Sequence, residues 1–577
     1  MKISHWIITL ISGMMFLTQQ SHAAIVRTPI SPTRIVWISD TTGTYVANPE
    51  ILLKEFSGQV SVADNNCMVM KSDHGHQSAI LLDFGKELHG AIRISAGMRG
   101  SKRPLRLRVR LGESVSEAMS DVSPDMNSHN ATNEHAMRDF ELQIPWLGTV
   151  EHGNSGFRFA RIDLLDQDAD CLLKGVQAIS VAIDDPEVGS FRCNDERINR
   201  IWDTGAYTVK LNMQDYLWDG IKRDRLVWLG DLHPEVLTVS NVWGDHDVVR
   251  RTLDFGKNDT PLPGWMNGFS SYSMWWLIIH RDYYLHHGDI AYLRYNRDYI
   301  LGLTRQLADC IGPDGCEAMT GVRFLDWPTS EQNDVIHAGL QALAYMTIVA
   351  SRQIGDWLKD EELIALADET AARLRQYSTH GGGATQAVAL RLLSGLSPDT
   401  EADCRAIMEN GLDSFSPFYG YYAIEALADN GHVDTALEMM ADYWGAMIDL
   451  GATTFWEHLN YPDVKLAGRI DEIVSPDKYD IHADGGAFCY VGLRQSLCHG
   501  WAAGPTPWLQ RHVLGVRPLE PGCSMIEVKP NLGFLTFAEG TVPTPKGPVT
   551  VKVSKEPSGK LRCEVKAPKG IKVVKRV

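Results

Sequence analysis

Three regimes of hydrophobic patterning follow one another along the chain. Over residues 25–185 apolar and polar residues alternate in short runs, in AIRIS (91–95), RPLRLRVRL (103–111) and FRFARIDLL (157–165), separated by Gly, Pro, Asn and Asp. A period of two marks a strand with one buried and one solvated face. In the second run Leu105, Leu107, Val109 and Leu111 form the apolar face, and Arg106, Arg108 and Arg110 the polar one. A β-sandwich over residues 25–190 is the economical architecture. Residues 116–135, rich in Ser, Asp, Asn and Met, predict a long surface loop.

From about Phe191 the period becomes helical and stays so to about residue 512. One unit shows the rule. After Pro417 an apolar stripe of Ile424, Leu427 and Ala428 ends at Asn430-Gly431, a helix stop. Asp434 is then a predicted cap for a second helix, in which Leu437, Met440, Ala441, Trp444, Met447 and Ile448 recur at spacings of three and four up to Gly451. Similar pairs lie around 335–354 and 361–376. At roughly 50 residues per hairpin this region holds six, enough for a closed double ring of helices. The HGGGATQAV stretch (380–388) lacks the GK[ST] ending of a phosphate loop and reads as a turn between helices. From about residue 513 alternation returns in SMIEVKP, VTVKV and LRCEV, with Ser558-Gly559 as a hairpin turn, which predicts a small C-terminal β domain over 513–577.

Composition narrows the function. The 577 residues are 44% hydrophobic and 22% charged, as in ordinary globular proteins, and the net charge of −17 removes the cationic footprint that nucleic acid requires. Residues 1–24 read as a signal peptide: Lys2, an apolar stretch from Trp6 to Leu17, and Ser21-His22-Ala23 as a cleavage site. No later run is long and apolar enough to span a membrane, so the expectation is an exported protein, periplasmic or secreted. Export permits disulfides, and Cys310 with Cys316, or Cys523 with Cys563, are the pairs that spacing suggests. No CxxC pair or HExxH is present, and neither a metal nor an organic cofactor is expected. The 16 Trp and 18 Tyr suit a carbohydrate partner, because flat rings pack on the C–H faces of sugars. Oligomeric state has no signature here.

Two segments concentrate acids and aromatics where the helical pattern breaks. LWDGIKRDRLVWLGDLHPE (217–235) holds Asp219, Asp224, Asp231 and Glu235 with Trp218 and Trp228. Hydrolysis of a glycosidic bond needs one carboxylic acid to protonate the leaving oxygen and one carboxylate to activate water. Crowding among like charges keeps a carboxyl protonated near neutral pH. The competing expectation is a solvated loop in which the acids pair with Lys222, Arg223 and Arg225. GATTFWEHLN (451–460) places Trp456, Glu457 and His458 just beyond a helix end.

DGIKRDRLVWLGD resembles the RDERLGWTGD motif of glycoside hydrolase family 78, the α-L-rhamnosidases. SPFYGYYAIEALADNG followed by GATTFWE, SLCHGWAAGPTPWL (496–509) and LLDFGKELHG resemble further segments of that family, in the family's order. The resemblance implies an (α/α)6 barrel flanked by an N-terminal and a small C-terminal β-sandwich, and exo-acting release of terminal α-L-rhamnose by an inverting single displacement. It places Asp224 at the general acid and Glu457 at the general base. Asp219, Asp231 and His499 fall on sugar-holding positions, with Trp228, Trp327 and Trp456 as walls. The family's acid is Glu, and Asp224 reaches about one C–C bond less far. Either its loop stands closer to the sugar, or Glu235 or another group donates the proton, or the activity has drifted. Two alternatives remain: another six-hairpin activity (an unsaturated glucuronyl hydrolase or a polysaccharide lyase), and a non-catalytic sugar-binding relative.

Overall fold

The computed structural model describes residues 25–63, 66–73, 75–121, 138–379, 381–488 and 492–576. The signal-peptide segment and most of the loop expected over 116–135 lie outside them.

The alternating runs at the front of the chain become β1 (Ile25–Ile30), β2 (Arg34–Ile38), β3 (Val46–Ala47), β4 (Met68–Ser72), β5 (Ala79–Ala96), β6 (Leu105–Gly112), β7 (Asp139–Ile144), β8 (Gly148–Leu164) and β9 (Ala169–Ile183). They join one antiparallel sheet in the order β3-β4-β9-β5-β8-β6-β7, with β1 on β9 and β2 on β5. Bulges between Asp83 and Leu88 and between Gly90 and Ile92 bend the long β5, as extra residues in one strand do. The apolar face of β6 is buried as its alternation requires. Arg110 departs from the pattern: it is buried and paired with Asp163 at 3.0 Å rather than solvated. A second departure is α1 (Val115–Met119), a buried helical turn capped by Ser114, in the stretch where a surface loop was expected.

The helical region forms six hairpins. The outer ring is α2 (Glu196–Asn212), α4 (Asp247–Asp259), α7 (Arg297–Asp309), α9 (Glu361–Leu374), α11 (Thr400–Asn410) and α13 (Val433–Asp449). The inner ring is α3 (Leu232–Val242), α5 (Ser270–His287), α8 (Asn333–Leu358), α10 (Thr385–Ser394), α12 (Tyr419–Asp429) and the short α14 (Pro505–Trp508), while α6 (Ile290–Tyr295) is an added turn. From α3 through α5, α8 and α10 to α12 each inner helix packs on the next, and α14 packs on α3. Inner helices are therefore covered on nearly every side, and α12 has ten of its eleven residues buried, from Tyr419 to Ala428. The cap of α13 is His432, and Asp434 lies inside its first turn rather than at the cap.

The C-terminal domain stacks a four-stranded sheet on a three-stranded one. β11 (Val516–Pro518), β12 (Met525–Val528) and β16 (Lys572–Lys575) make the smaller sheet. β13 (Phe537–Val542), β14 (Val549–Lys555) and β15 (Leu561–Lys566) make the larger, completed by β10 (Ser190–Cys193), which precedes the first barrel helix. The nine described cysteines are free thiols, so neither suggested disulfide forms.

Every loop that leads from an outer helix to the next inner one emerges at the same end of the ring, beside the inner helices' N-termini. The acid-rich 213–231 segment and the long 450–499 segment are the first and last of these six loops. Ring closure brings them side by side.

Candidate active site

At this mouth lies a cavity of about 250 Å³ whose walls include Asp219, Asp224, Asp231, Glu457 and His499. Three stretches distant in sequence supply them, so the clustering is a product of the fold. The loop is not the solvated charge run that composition allows, since Lys222 and Arg223 are 1% and 2% exposed.

Local geometry explains how the acids are aimed. The N–H groups of Asp219 and Leu226 close a tight loop, donating to the Leu226 carbonyl at 3.1 Å and to Asp219 Oδ1 at 2.9 Å. Gly220 pairs with His499 across the two loops, where a Cβ would stand 3.0 Å from the Cys498 carbonyl. Asp224 and Arg225 both adopt left-handed backbone, with φ of 52° and 51°. For Arg this is strained, and such strain persists only where surrounding contacts enforce it. Here the Arg225 guanidinium donates to the Asn154 carbonyl of the sandwich domain at 2.7 Å.

Arg223 joins the two sides of the site. One nitrogen of its guanidinium donates to Asp224 Oδ2 at 3.0 Å and another donates to Glu457 Oε1, while its Nε donates to the Arg494 carbonyl at 2.8 Å. Asp224 and Glu457 thus face one cavity and grip opposite arms of one cation. The second Glu457 oxygen accepts the Ser496 N–H at 3.0 Å. Burial alone would raise the Glu457 pKa, but Arg223, His499 and the Ser496 amide outweigh it and hold the carboxyl below its usual value.

The remaining acids have the opposite character. Burial, with Asp224 and Asp231 nearby, pushes the Asp219 pKa well up, and burial also raises Asp231 despite its hydrogen bond to His499. His499 Nε2 lies 3.1 Å from Asp231 Oδ2 and its Nδ1 lies 4.0 Å from Glu457 Oε1. Burial opposes its charge, yet Glu457 and Asp231 hold its pKa above the usual imidazole value. The cavity therefore combines a carboxyl whose pKa is held down, an imidazole biased toward the cation and two carboxyls whose pKa values burial raises.

Trp228 and Trp327 line the cavity as expected. Trp456 does not. It is 1% exposed and belongs to the barrel core, because its side chain points away from the loop face that presents Glu457. Trp501 takes the wall position instead, its indole N–H donating to the Glu457 carbonyl at 3.1 Å and its ring lying edge-on to His499 at 4.6 Å. Glu235, raised above as another donor, is wholly buried behind Gly500 and is not part of the wall. Burial pushes its pKa well up, and neither of its oxygens has a hydrogen-bond partner. Sequence reasoning missed Arg223, Arg494, Phe269, Tyr272 and Phe324 as wall residues. The sequence signal for Arg223 is its place beside Asp224, which by itself suggests no more than a counter-ion.

Twelve helical elements in six hairpins, β domains on both flanks and a carboxyl-lined cavity at the mouth define a six-hairpin glycosidase-type fold. Residues 186–376 match the bacterial α-L-rhamnosidase six-hairpin glycosidase domain, and residues 515–574 match the bacterial α-L-rhamnosidase C-terminal domain. These two domain matches, with the fold likenesses that follow, support glycoside hydrolase family 78 as the family of this chain. Its fold is similar to that of a family 78 rhamnosidase from Bacillus sp. GL1, with a TM-score of 0.72 at 22% identity over 92% of this chain and 56% of that one. It is also similar to the Streptomyces avermitilis α-L-rhamnosidase solved with L-rhamnose, with a TM-score of 0.70 at 17% identity over 96% and 50% of the two chains. An α-L-rhamnosidase from Formosa agariphila is 24% identical over 163 residues, 28% of this chain and 16% of that protein. The chain thus spans only part of the length of these relatives.

Proposed function

We propose that this protein is an exported, exo-acting α-L-rhamnosidase that removes a terminal α-L-rhamnose by an inverting single displacement. The observation that carries the reading is the joint presence of Asp224 and Glu457 on one cavity of single-sugar size, smaller than the roughly 300–1,000 Å³ of drug-sized sites. Glu457, kept ionised by Arg223 and His499, draws a proton from the attacking water. Asp224 gives a proton to the departing oxygen, and water enters between the two carboxyl groups, for which inverting enzymes leave about 6.5–9.5 Å. Asp219, Asp231 and His499 hold the hydroxyl groups, and Trp228, Trp327 and Trp501 close on the ring. Rhamnose bound in two rhamnosidases of similar fold supports the choice of sugar. The leader-like residues 1–24 support export.

One observation favours a second donor. Asp219 lines the same cavity and burial keeps its proton to well above the usual carboxyl range, as an acid catalyst requires. Comparison of Asp224→Asn with Asp219→Asn decides between them. The true donor's variant should lose roughly 10²–10⁴-fold on natural rhamnosides and much less on an aryl α-L-rhamnoside with a good leaving group, which needs no protonation. Equal losses on both substrates for Asp224→Asn would remove it from the acid role, and absence of rhamnose release from every substrate would remove the activity itself.

A further inference from the structure

A larger cavity of about 740 Å³ adjoins the smaller one. The loops 310–332 and 450–499 contribute to both. Consecutive residues face opposite sides of the partition: Trp327 and Glu457 line the small cavity, Pro328 and His458 the large one. Phe488 completes the partition, its ring 6.3 Å from Trp327 in a stacked pose and 6.3 Å edge-on from His458. Phe488 is also 43% exposed, an aromatic face turned partly to solvent inside a polar cavity.

The chemistry of the larger cavity is selective. Amides of Gln332, Asn410 and Asn460 offer both donors and acceptors, a suitable lining for hydroxyl groups. Asp413 and Asp463 are its carboxylates, and no Lys or Arg occurs among its described lining residues. Burial lowers the pKa of His458 despite Glu457 and Asp463, so it brings no positive charge at neutral pH. An acidic or sulfated sugar would meet like charge with no Lys or Arg among the described lining residues to balance it.

We propose that this cavity binds the uncharged sugars attached to the reacting residue, so that the natural substrate is the end of a neutral oligosaccharide or polysaccharide. The inference rests on the smaller cavity being the site of the reacting sugar. Contacts in the larger cavity then make the attached sugars, not rhamnose alone, the main source of affinity.

Titration calorimetry on the Glu457→Gln protein, which leaves the ligand intact, tests this with three probes. They are L-rhamnose, gluco-trisaccharides carrying a terminal α-L-rhamnose in each linkage, and the same trisaccharides with glucuronic acid next to the rhamnose. The best neutral trisaccharide should bind at least about tenfold more tightly than L-rhamnose, and its glucuronate counterpart should lose most of that gain. Asp413 is exposed, so Asp413→Lys can be added without disturbing the core, and it should restore binding of the acidic probe relative to the neutral one. Trisaccharides no tighter than rhamnose in any linkage, or an acidic probe that binds as well as the neutral one, would overturn the inference. Tight binding of neutral oligosaccharides lacking rhamnose, with no binding of rhamnose itself, would instead overturn the proposed sugar and leave the larger cavity's role standing.

Discussion

Arg223 sets the electrostatics of the site at the scale of single residues. Its guanidinium holds Asp224 at 3.0 Å and also binds Glu457, and burial of Arg223 and Glu457 strengthens the contact between them. Glu457→Gln keeps the shape of the side chain but cannot take a proton, so kcat should fall roughly 10²–10⁴-fold while KM changes little. Near-normal turnover would remove Glu457 from the base role. The pH profile follows from the same contacts. A carboxylate with a depressed pKa stays ionised to lower pH, and base function is lost only as pH falls through that depressed value. The acid limb of kcat/KM should therefore lie below pH 4.5, the ordinary glutamate value. Arg223→Met removes the strongest attraction and should move that limb upward; an unmoved limb would show that Arg223 does not tune the base.

Elements explain why these residues stay in place. The sandwich domain reaches into the barrel mouth through α1, whose Glu117, with the neighbouring Glu113, holds Lys222 at 3.3 and 3.2 Å. The same ammonium donates to the carbonyls of Leu493 and Gln495 at 2.9 and 2.6 Å. Lys222 thus ties the loop bearing Asp224 to the segment that supports Glu457. Burial pushes the Glu113 pKa up to about 7 even with this cation beside it, a measure of how much the cluster needs the positive charge. Lys222→Met should cost about 3–5 kcal/mol of stability, the usual penalty for orphaning buried charge, as read by denaturant unfolding. Adding Glu113→Gln should recover part of that loss. No recovery would mean that the cluster's charges are not coupled. This tie was illegible in the sequence. Residues 116–119 open the Ser-, Asp-, Asn- and Met-rich stretch that reads as a loop, and their burial against a lysine more than a hundred positions later is what gives this helical turn its role.

Across the whole molecule, what could be read in advance was whatever repeats locally. Strand alternation and helical spacing survive because each reports which face is buried, and the count of six hairpins follows from length alone. Long-range partnership was less legible. Trp456 sits beside the base in sequence but faces the core, whereas Trp501, forty-five positions later, lines the site. Arg110 looked solvated by alternation and is buried because Asp163 meets it from β8. Closure of the ring is what turns acids on the first loop and a carboxylate on the last into facing groups, and the proposed chemistry exists only by virtue of that closure. Proton NMR of the first sugar released from a neutral α-L-rhamnosyl oligosaccharide tests this most directly. Water activated by Glu457 on the face opposite the leaving group must give β-L-rhamnose first, with the α form appearing only by later mutarotation. An α-L-rhamnose signal that leads the β signal would contradict the account.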